Sequence, residues 1–114
     1  MANDFKLKTK ADVGDSASTV YTCPASTETT IIGMSVANTT ASAITVDVQV
    51  ESDTADTETN TNIYIVKAAP IPVGSSLVVI GGDQKVVLQA TDVLKVTSSA
   101  ATSADVALSI LEIS

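Results

Sequence analysis

The segment ITVDVQVE (44–51) alternates apolar and polar residues without interruption. A period of two is expected for a β-strand with one buried face, whereas a helical period of 3.6 would spread the valines around the helix. We therefore predict a strand here. Its buried face would carry Ile44, Val46, Val48 and Val50.

Similar short segments rich in valine and threonine recur through the chain, and turns rich in Gly, Pro, Ser, Asn and Asp separate them. This spacing predicts an all-β protein, an antiparallel β-sandwich or jelly roll of about eight strands in a single domain. We expect residues 1–18 to form a basic N-terminal strand or arm with a loop, and 19–114 to form the sandwich. The predicted strands cover 5–9, 19–23, 30–38, 44–50, 62–68, 77–80, 85–89, 93–97 and 106–113.

Several local expectations follow from the same patterns. In 30–38, we place Ile32, Met34 and Val36 on one face, and the other, rich in small residues, carries Ile31, Gly33, Ser35 and Ala37. The prolines in 69–76 predict a rigid turn, 11–18 is predicted as a loop, and GGD (81–83) predicts a hairpin turn. The other predicted core positions are Val86, Leu88, Leu94, Val96, Leu108 and Ile110.

Composition excludes the commonest enzyme designs. The chain has 114 residues with no His, no Arg, no Trp and a single Cys. Most general bases and activated nucleophiles depend on His, and arginine supplies the bidentate recognition of phosphate. We therefore predict a protein that is not an enzyme, with no catalytic, cofactor-binding or metal-binding residues.

Charge is unevenly distributed along the chain. The net charge is −7, yet Lys6, Lys8 and Lys10 make the first ten residues basic. An acidic body repels nucleic acid and anionic membranes, so we expect neither as a partner. The lysines also interrupt any signal-peptide core, and no apolar run approaches the length of a membrane span. We expect a protein that is made in, and soluble in, a cytoplasm.

The lysine strand has two interpretations, which the sequence leaves open. Alternating lysines near a terminus are typical of an edge strand that charge protects from unwanted pairing. Alternatively, Lys6, Lys8 and Lys10 form an arm that docks on an acidic partner. In that case, removing residues 1–10 would leave a folded domain that attaches more weakly.

Other chemistry-bearing residues have a structural interpretation that we favour. Carboxylates at Asp53, Asp56 and Glu58 could bind calcium, but their spacing does not match an EF-hand loop, so we expect a solvated loop. Two tyrosines, Tyr21 and Tyr64, could stack on a sugar but are more typical of packing. Cys23 is expected to be a buried or idle thiol. The triplet at 38–40 matches a glycosylation acceptor, but nothing in the sequence indicates secretion, so we give it no role.

The C-terminal half, PIPVGSSLVVIGGDQKVVLQATDVLKVTSSAATSADVALSILEIS (70–114), resembles a segment of small virion proteins of tailed bacteriophages, especially marine and cyanobacterial ones. The shared features are a proline turn, a strand pair around a GGD-like turn, a DVLKV strand (92–96) and a final LSILEIS strand (108–114). The segment 21–48 fits the same pattern. The resemblance rests on turns and strands, so it supplies no site residues.

The resemblance implies a structural protein of the virion, assembled in the host cytoplasm. Within that class we favour a capsid decoration (cement) protein that binds the major capsid protein as a homo-oligomer, with a trimer favoured. A neck, collar or tail component is the alternative, and a carbohydrate- or receptor-binding module is a further one. Small-residue faces at 33–37 and 101–104 would then contact partners.

Overall fold

The computed structural model describes residues 3–52, 63–81 and 83–114, which form two antiparallel sheets. Val and Thr dominate the strands because branching at Cβ suits a pleated surface. The strands are β1 (Asn3–Val13), β2 (Ser18–Thr22), β3 (Glu28–Asn38), β4 (Ile44–Glu51), β5 (Ile63–Ile71), β6 (Ser76–Ile80), β7 (Val86–Leu88), β8 (Val93–Ser98) and β9 (Ala104–Ile113).

Strand pairing gives the sandwich its topology. The first sheet has the order β1-β9-β3-β6, with β7 also pairing with β3, and the second sheet has the order β2-β8-β4-β5. The strand pairs are nested: the outermost pair is β1–β9, and inside it follow β2–β8, β3–β6 and β4–β5. Successive pairs lie alternately in the first and the second sheet. This is the strand order of a jelly roll. The predicted antiparallel sandwich is confirmed.

The core lies between the sheets, as the alternation of β4 predicted. Val46 and Val48 are 1% and 0% exposed, and the polar residues between them lie on the other face of the strand. Of the other predicted core positions, all are buried except Val86, which is half-buried. Further buried residues complete the core: Met34, Val36, Tyr21 and Cys23, together with Val13, Ile31, Ile71, Val79, Ile80, Ala104 and Val106, which the patterns did not assign to it.

The predicted phase of β3 is wrong in its first half. A bulge between Ile31 and Gly33 inserts Ile32 as an extra residue in the pairing with β9. Because a bulge shifts the alternation by one residue, Ile31 rather than Ile32 shares the buried face with Met34 and Val36. Ile31 is fully buried, and Ile32 is half-buried.

The predicted hairpin at 81–83 is also wrong. Strand β6 pairs with β3 at 34–37 and β7 pairs with β3 at 29–31, both antiparallel. The two strands therefore follow one another in the same direction along one edge of β3. The residues between them interrupt this edge without reversing the chain, and Gly82 lies outside the described residues.

Two further boundaries differ from the predictions. Strand β5 continues through Pro70 to Ile71, where a turn had been predicted. Proline is tolerated there because β5 is an edge strand, and the turn begins only after it, with Gly74 at φ +73°. At the N-terminus, β1 continues to Val13, so the predicted loop at 11–18 shortens to the residues between β1 and β2.

Candidate interaction surface

The middle of the outer face of the first sheet is uncharged, and the charged residues of this face, Glu28 and Asp105, lie beyond it. We define this middle part by three rows of residues that are paired across the sheet, each beginning on β1. The rows are Phe5–Leu111–Thr30–Val87, Leu7–Ser109–Gly33 and Thr9–Ala107–Ser35–Val78. No residue in these rows is charged, although the chain as a whole carries 19 charged side chains, 6 basic and 13 acidic.

Large side chains on this outer face are open to solvent. Phe5 is 76% exposed and Leu7 66%, while Val78 and Val87 are 68% and 59% exposed. Phe5 is the only phenylalanine in the chain, and it is the most exposed large apolar side chain among the described residues. Full burial of such a side chain is worth about 1.5–3 kcal/mol, so leaving several of them in water is unfavourable.

The centre of the outer face is a shallow trough. Its floor is formed by small residues of β3 and β9, among them Gly33, Ser35, Ala107 and Ser109. The larger side chains of β1 stand on one side and Val78 on the other. The expected small-residue face at 33–37 therefore lies at the surface, whereas Ser103 and Ala104, also expected to contact partners, are buried inside the sandwich.

The structure places the three lysines on the opposite face of β1. Lys6, Lys8 and Lys10 pair with Ile110, Leu108 and Val106, whose side chains point into the core. Because β1 is the edge strand, the lysine side chains run along the open flank of the sandwich, and Lys8 is half-buried. Inward-pointing lysines are a known protection of sheet edges.

Lys6 belongs to a polar cluster that connects the two sheets. Its Nζ atom lies 2.8 Å from Oε1 of Glu112, which is only 7% exposed. The hydroxyl group of Tyr21, on β2, donates to Oε2 of the same carboxylate at 2.5 Å and lies 2.8 Å from Oγ1 of Thr29. Buried charges require such pairing, and this cluster supplies it for Glu112.

The cluster shifts the ionisation of its members. The bonds from Lys6 and then Tyr21 lower the pKa of Glu112, and the bond to Glu112 raises the pKa of Lys6. Burial, followed by the bond to the carboxylate, raises the pKa of Tyr21 above its usual value of 10.0. Tyr21 is therefore a neutral donor at neutral pH and not a surface platform for a sugar.

Cys23 lies beside this cluster and is 1% exposed. Its Sγ atom lies 3.3 Å from Oγ1 of Thr29 and 3.3 Å from the carbonyl oxygen of Thr27. Burial raises the pKa of the thiol. A buried thiol with a raised pKa is a poor nucleophile.

The remaining candidates lie apart from one another. Tyr64, on the edge strand β5, is 45% exposed, and Nζ of Lys67 lies 4.4 Å from the centre of its ring. Asn38 is buried, and its amide donates to the carbonyl oxygens of Ser42 and Ile71, so its side chain serves the fold. The acidic residues Asp53, Asp56 and Glu58 lie outside the described residues.

Across 3–52, 63–81 and 83–114, no group of three or more His, Cys, Asp and Glu side chains is placed to hold a metal ion. In the same ranges, no helix is long and apolar enough to cross a membrane.

Sequence reasoning did not identify the two features that define this surface. The outward direction of Phe5 and Leu7 follows from the register between β1 and β9, which no local pattern shows. The burial of Glu112 could have been predicted from the sequence, because Glu112 is the next residue in the alternating series of Val106, Leu108 and Ile110. Comparisons with protein-family models, curated protein sequences and solved structures found no match to the chain.

Proposed function

We propose that the chain is a non-catalytic structural protein of a bacteriophage particle, and that it decorates and stabilises the outside of the capsid. The observation that carries this proposal is the uncharged middle of the outer face of the first sheet, with its exposed apolar side chains. The largest exposed apolar patch of a soluble monomer, about 300–600 Å², is often functional. Four strands about 4.8 Å apart, over the five residues of β1 that the rows span, give a face on the order of 300 Å².

The resemblance of 21–48 and 70–114 to small virion proteins supplies the kind of particle. The jelly-roll order of the strands agrees with it, since this architecture is common in viral capsid domains, although a fold alone does not establish a function. The partner is then the major capsid protein or another virion protein. The lysines of β1 form the docking arm toward acidic partners.

Decoration requires that many weak contacts act together. We propose that the chain binds as a homo-oligomer, a trimer, so that each unit contacts the shell at several points. Linked contacts of this kind multiply affinity without any single strong interface. Sedimentation velocity of the purified chain tests this element: a trimer supports it, and a monomer at all concentrations contradicts it.

A carbohydrate- or receptor-binding module is the second candidate. The exposed ring of Tyr64 favours it, because aromatic faces stack on sugars and jelly rolls also occur in lectins. A glycan array probed with the native chain and with Tyr64→Ala distinguishes the two functions. Binding that depends on Tyr64 would favour the module over decoration.

The number of copies in each particle tests the proposal and the position of the chain. Quantitative mass spectrometry of purified virions, from the phage whose genome encodes the chain, measures this number against the major capsid protein. Decoration predicts copies on the order of hundreds, as the symmetry of a shell requires. A count of about three to twelve would assign the chain to the neck or tail, and its absence would overturn the proposal.

A further inference from the structure

The free edge of β1 is the longest exposed strand edge in the described structure. Over its eleven residues β1 pairs only with β9 among the described strands. An edge strand presents N–H and C=O groups that a further strand can pair with. One side of this edge carries Lys6, Lys8 and Lys10, and the other carries Phe5 and Leu7.

A second copy of β1 is a poor occupant of this edge. If two β1 strands pair antiparallel with matching faces, any register centred between Lys6 and Lys10 opposes lysine to lysine. With Lys8 at the centre, for example, Lys8 faces its own copy and Lys6 faces Lys10. Like charges directly opposite one another destabilise a strand pair. Asp4 and Asp12 flank the lysine row along β1, but no antiparallel register of two β1 strands places an acidic residue opposite both Lys8 and Lys10.

The other edges of a second copy do not offer a complementary strand either. Among the described strands, β2, β5, β6 and β7 lie at sheet edges. None of them contains Asp or Glu. The only acidic residues on a described edge are Asp4 and Asp12 of β1 itself, beyond the two ends of the lysine row. A strand with acidic residues opposite both Lys8 and Lys10 is therefore best supplied by a different polypeptide.

The lysine row is also available to a partner. Lys6 is engaged with Glu112, but neither Lys8 nor Lys10 forms an ion pair within the described residues. Lys10 is exposed and Lys8 half-buried, so both ammonium groups can reach a strand laid beside β1. Long lysine stems permit this while their apolar portions stay against the flank.

We propose that the free edge of β1 binds an extended segment of another protein in which acidic residues alternate with apolar ones. The acidic side chains would lie beside Lys8 and Lys10, and the apolar ones beside Phe5 and Leu7, where they would extend the outer face. Strand addition of this kind takes affinity from the backbone and specificity from alternate side chains. The inference rests on the proposed function and specifies the chemistry of the partner.

A peptide titration tests the inference on the full chain. The probe is a blocked peptide of about seven residues that alternates valine and glutamate, and the readout is amide hydrogen exchange and chemical shift at each residue of the labelled protein. We expect new protection in β1. The variant carrying Lys8→Glu and Lys10→Glu should bind about tenfold more weakly, because two attractions become repulsions.

Matched controls separate strand pairing from general charge attraction. Lys67→Glu makes one such charge reversal on the edge strand β5, matching the single variant Lys10→Glu in charge, and it should leave peptide affinity within about twofold of the native value. A valine–lysine peptide should show the reverse preference, binding the double variant better than the native chain. Thermal melts confirm folding, and the single variant Lys10→Glu replaces the double variant if the latter does not fold.

Three results would overturn the inference: equal binding by the double variant and the native chain, protection on β2 or β5 instead of β1, or no protection of β1 at millimolar peptide. None of these depends on where the chain resides. If the peptide does not bind at β1 but the chain is present in virions, only the inference that this edge is a docking site is refuted. Peptide binding without the chain in virions would refute only the proposed function.

Discussion

The ammonium group of Lys6 lies 2.8 Å from a carboxylate oxygen of Glu112, and this pair joins the edge strand β1 to β9 at the open flank of the sandwich. Tyr21 approaches the second carboxylate oxygen from the other sheet. Glu112 therefore holds together three strands, β1, β2 and β9. A buried carboxylate with partners on both sides makes the stability of this flank sensitive to mutation and to pH.

Removing the hydroxyl group of Tyr21 tests the connection between the sheets. Tyr21→Phe keeps the buried ring but leaves Oε2 of Glu112 without its donor, so we expect a loss of about 1–3 kcal/mol in the free energy of unfolding. Chemical denaturation measures it. Tyr64→Phe is the matched control, since an exposed tyrosine should change stability by less than about 0.5 kcal/mol. Equal effects of the two substitutions would contradict the assigned role of Glu112.

Acid should weaken the flank through Glu112. Its pKa is lowered in the folded chain relative to 4.5, so its contribution is complete above pH 4.5 and is lost as the pH falls through the folded value. Protonated Glu112 resembles glutamine. The difference in unfolding free energy between the native chain and Glu112→Gln should therefore be largest near neutral pH and shrink below pH 4.5. A difference that is constant with pH would contradict the ion pair.

Deletion of residues 1–10 should leave a folded but less stable domain. The truncation removes Lys6 from Glu112 and uncovers the edge of β9, while the core between the sheets remains. We expect the melting temperature to fall by at least about 5 °C. Lys10→Gln, which removes an exposed charge but keeps the strand, serves as the control and should melt like the native chain. An unchanged melting temperature after truncation would show that β1 does not support the sheet.

A charge in the centre of β4 should prevent folding. Val48 is fully buried between its partners on β5 and β8, so Val48→Asp leaves an unpaired carboxylate in the core, at a cost of several kcal/mol. Thr45→Asp places the same group on the exposed side of the strand and should melt cooperatively. Circular dichroism during heating distinguishes them. A cooperative melt of Val48→Asp would show that the assigned register is wrong.

Sequence predicts the parts of this fold that depend on local alternation. Strand β4 follows its pattern from Ile44 to Glu51 because its pairing with β8 is regular throughout, and the register shifts of its pairing with β5 add their extra residues on β5. The pattern of β3 is misleading, because the bulge at Ile32 adds one residue and reverses the faces that precede it. A period of two does not reveal such an insertion, since Ile31 and Ile32 are equally apolar.

Features that depend on pairing between distant segments could not be predicted. The glycines at 81–82 favour a turn, yet β6 and β7 share one edge of β3, and only the pairing with β3 decides this. Similarly, Phe5 and Leu7 would be expected to face a core, but the register of β1 against β9 places the three lysines of β1 on the inward side, where Lys6 meets Glu112. The lysines therefore face inward and the apolar residues outward.

If the chain decorates a capsid, the outer face of the first sheet is covered in the assembled particle. Hydroxyl-radical footprinting, read by mass spectrometry, measures the exposure of each side chain in the free chain and in purified virions. We predict that labelling of Phe5, Leu7, Val78 and Val87 falls several-fold on the particle, while that of Tyr64, on the other sheet, stays near its free value. Equal labelling of Phe5 in both states would show that this face stays open on the particle and would contradict the proposed decoration.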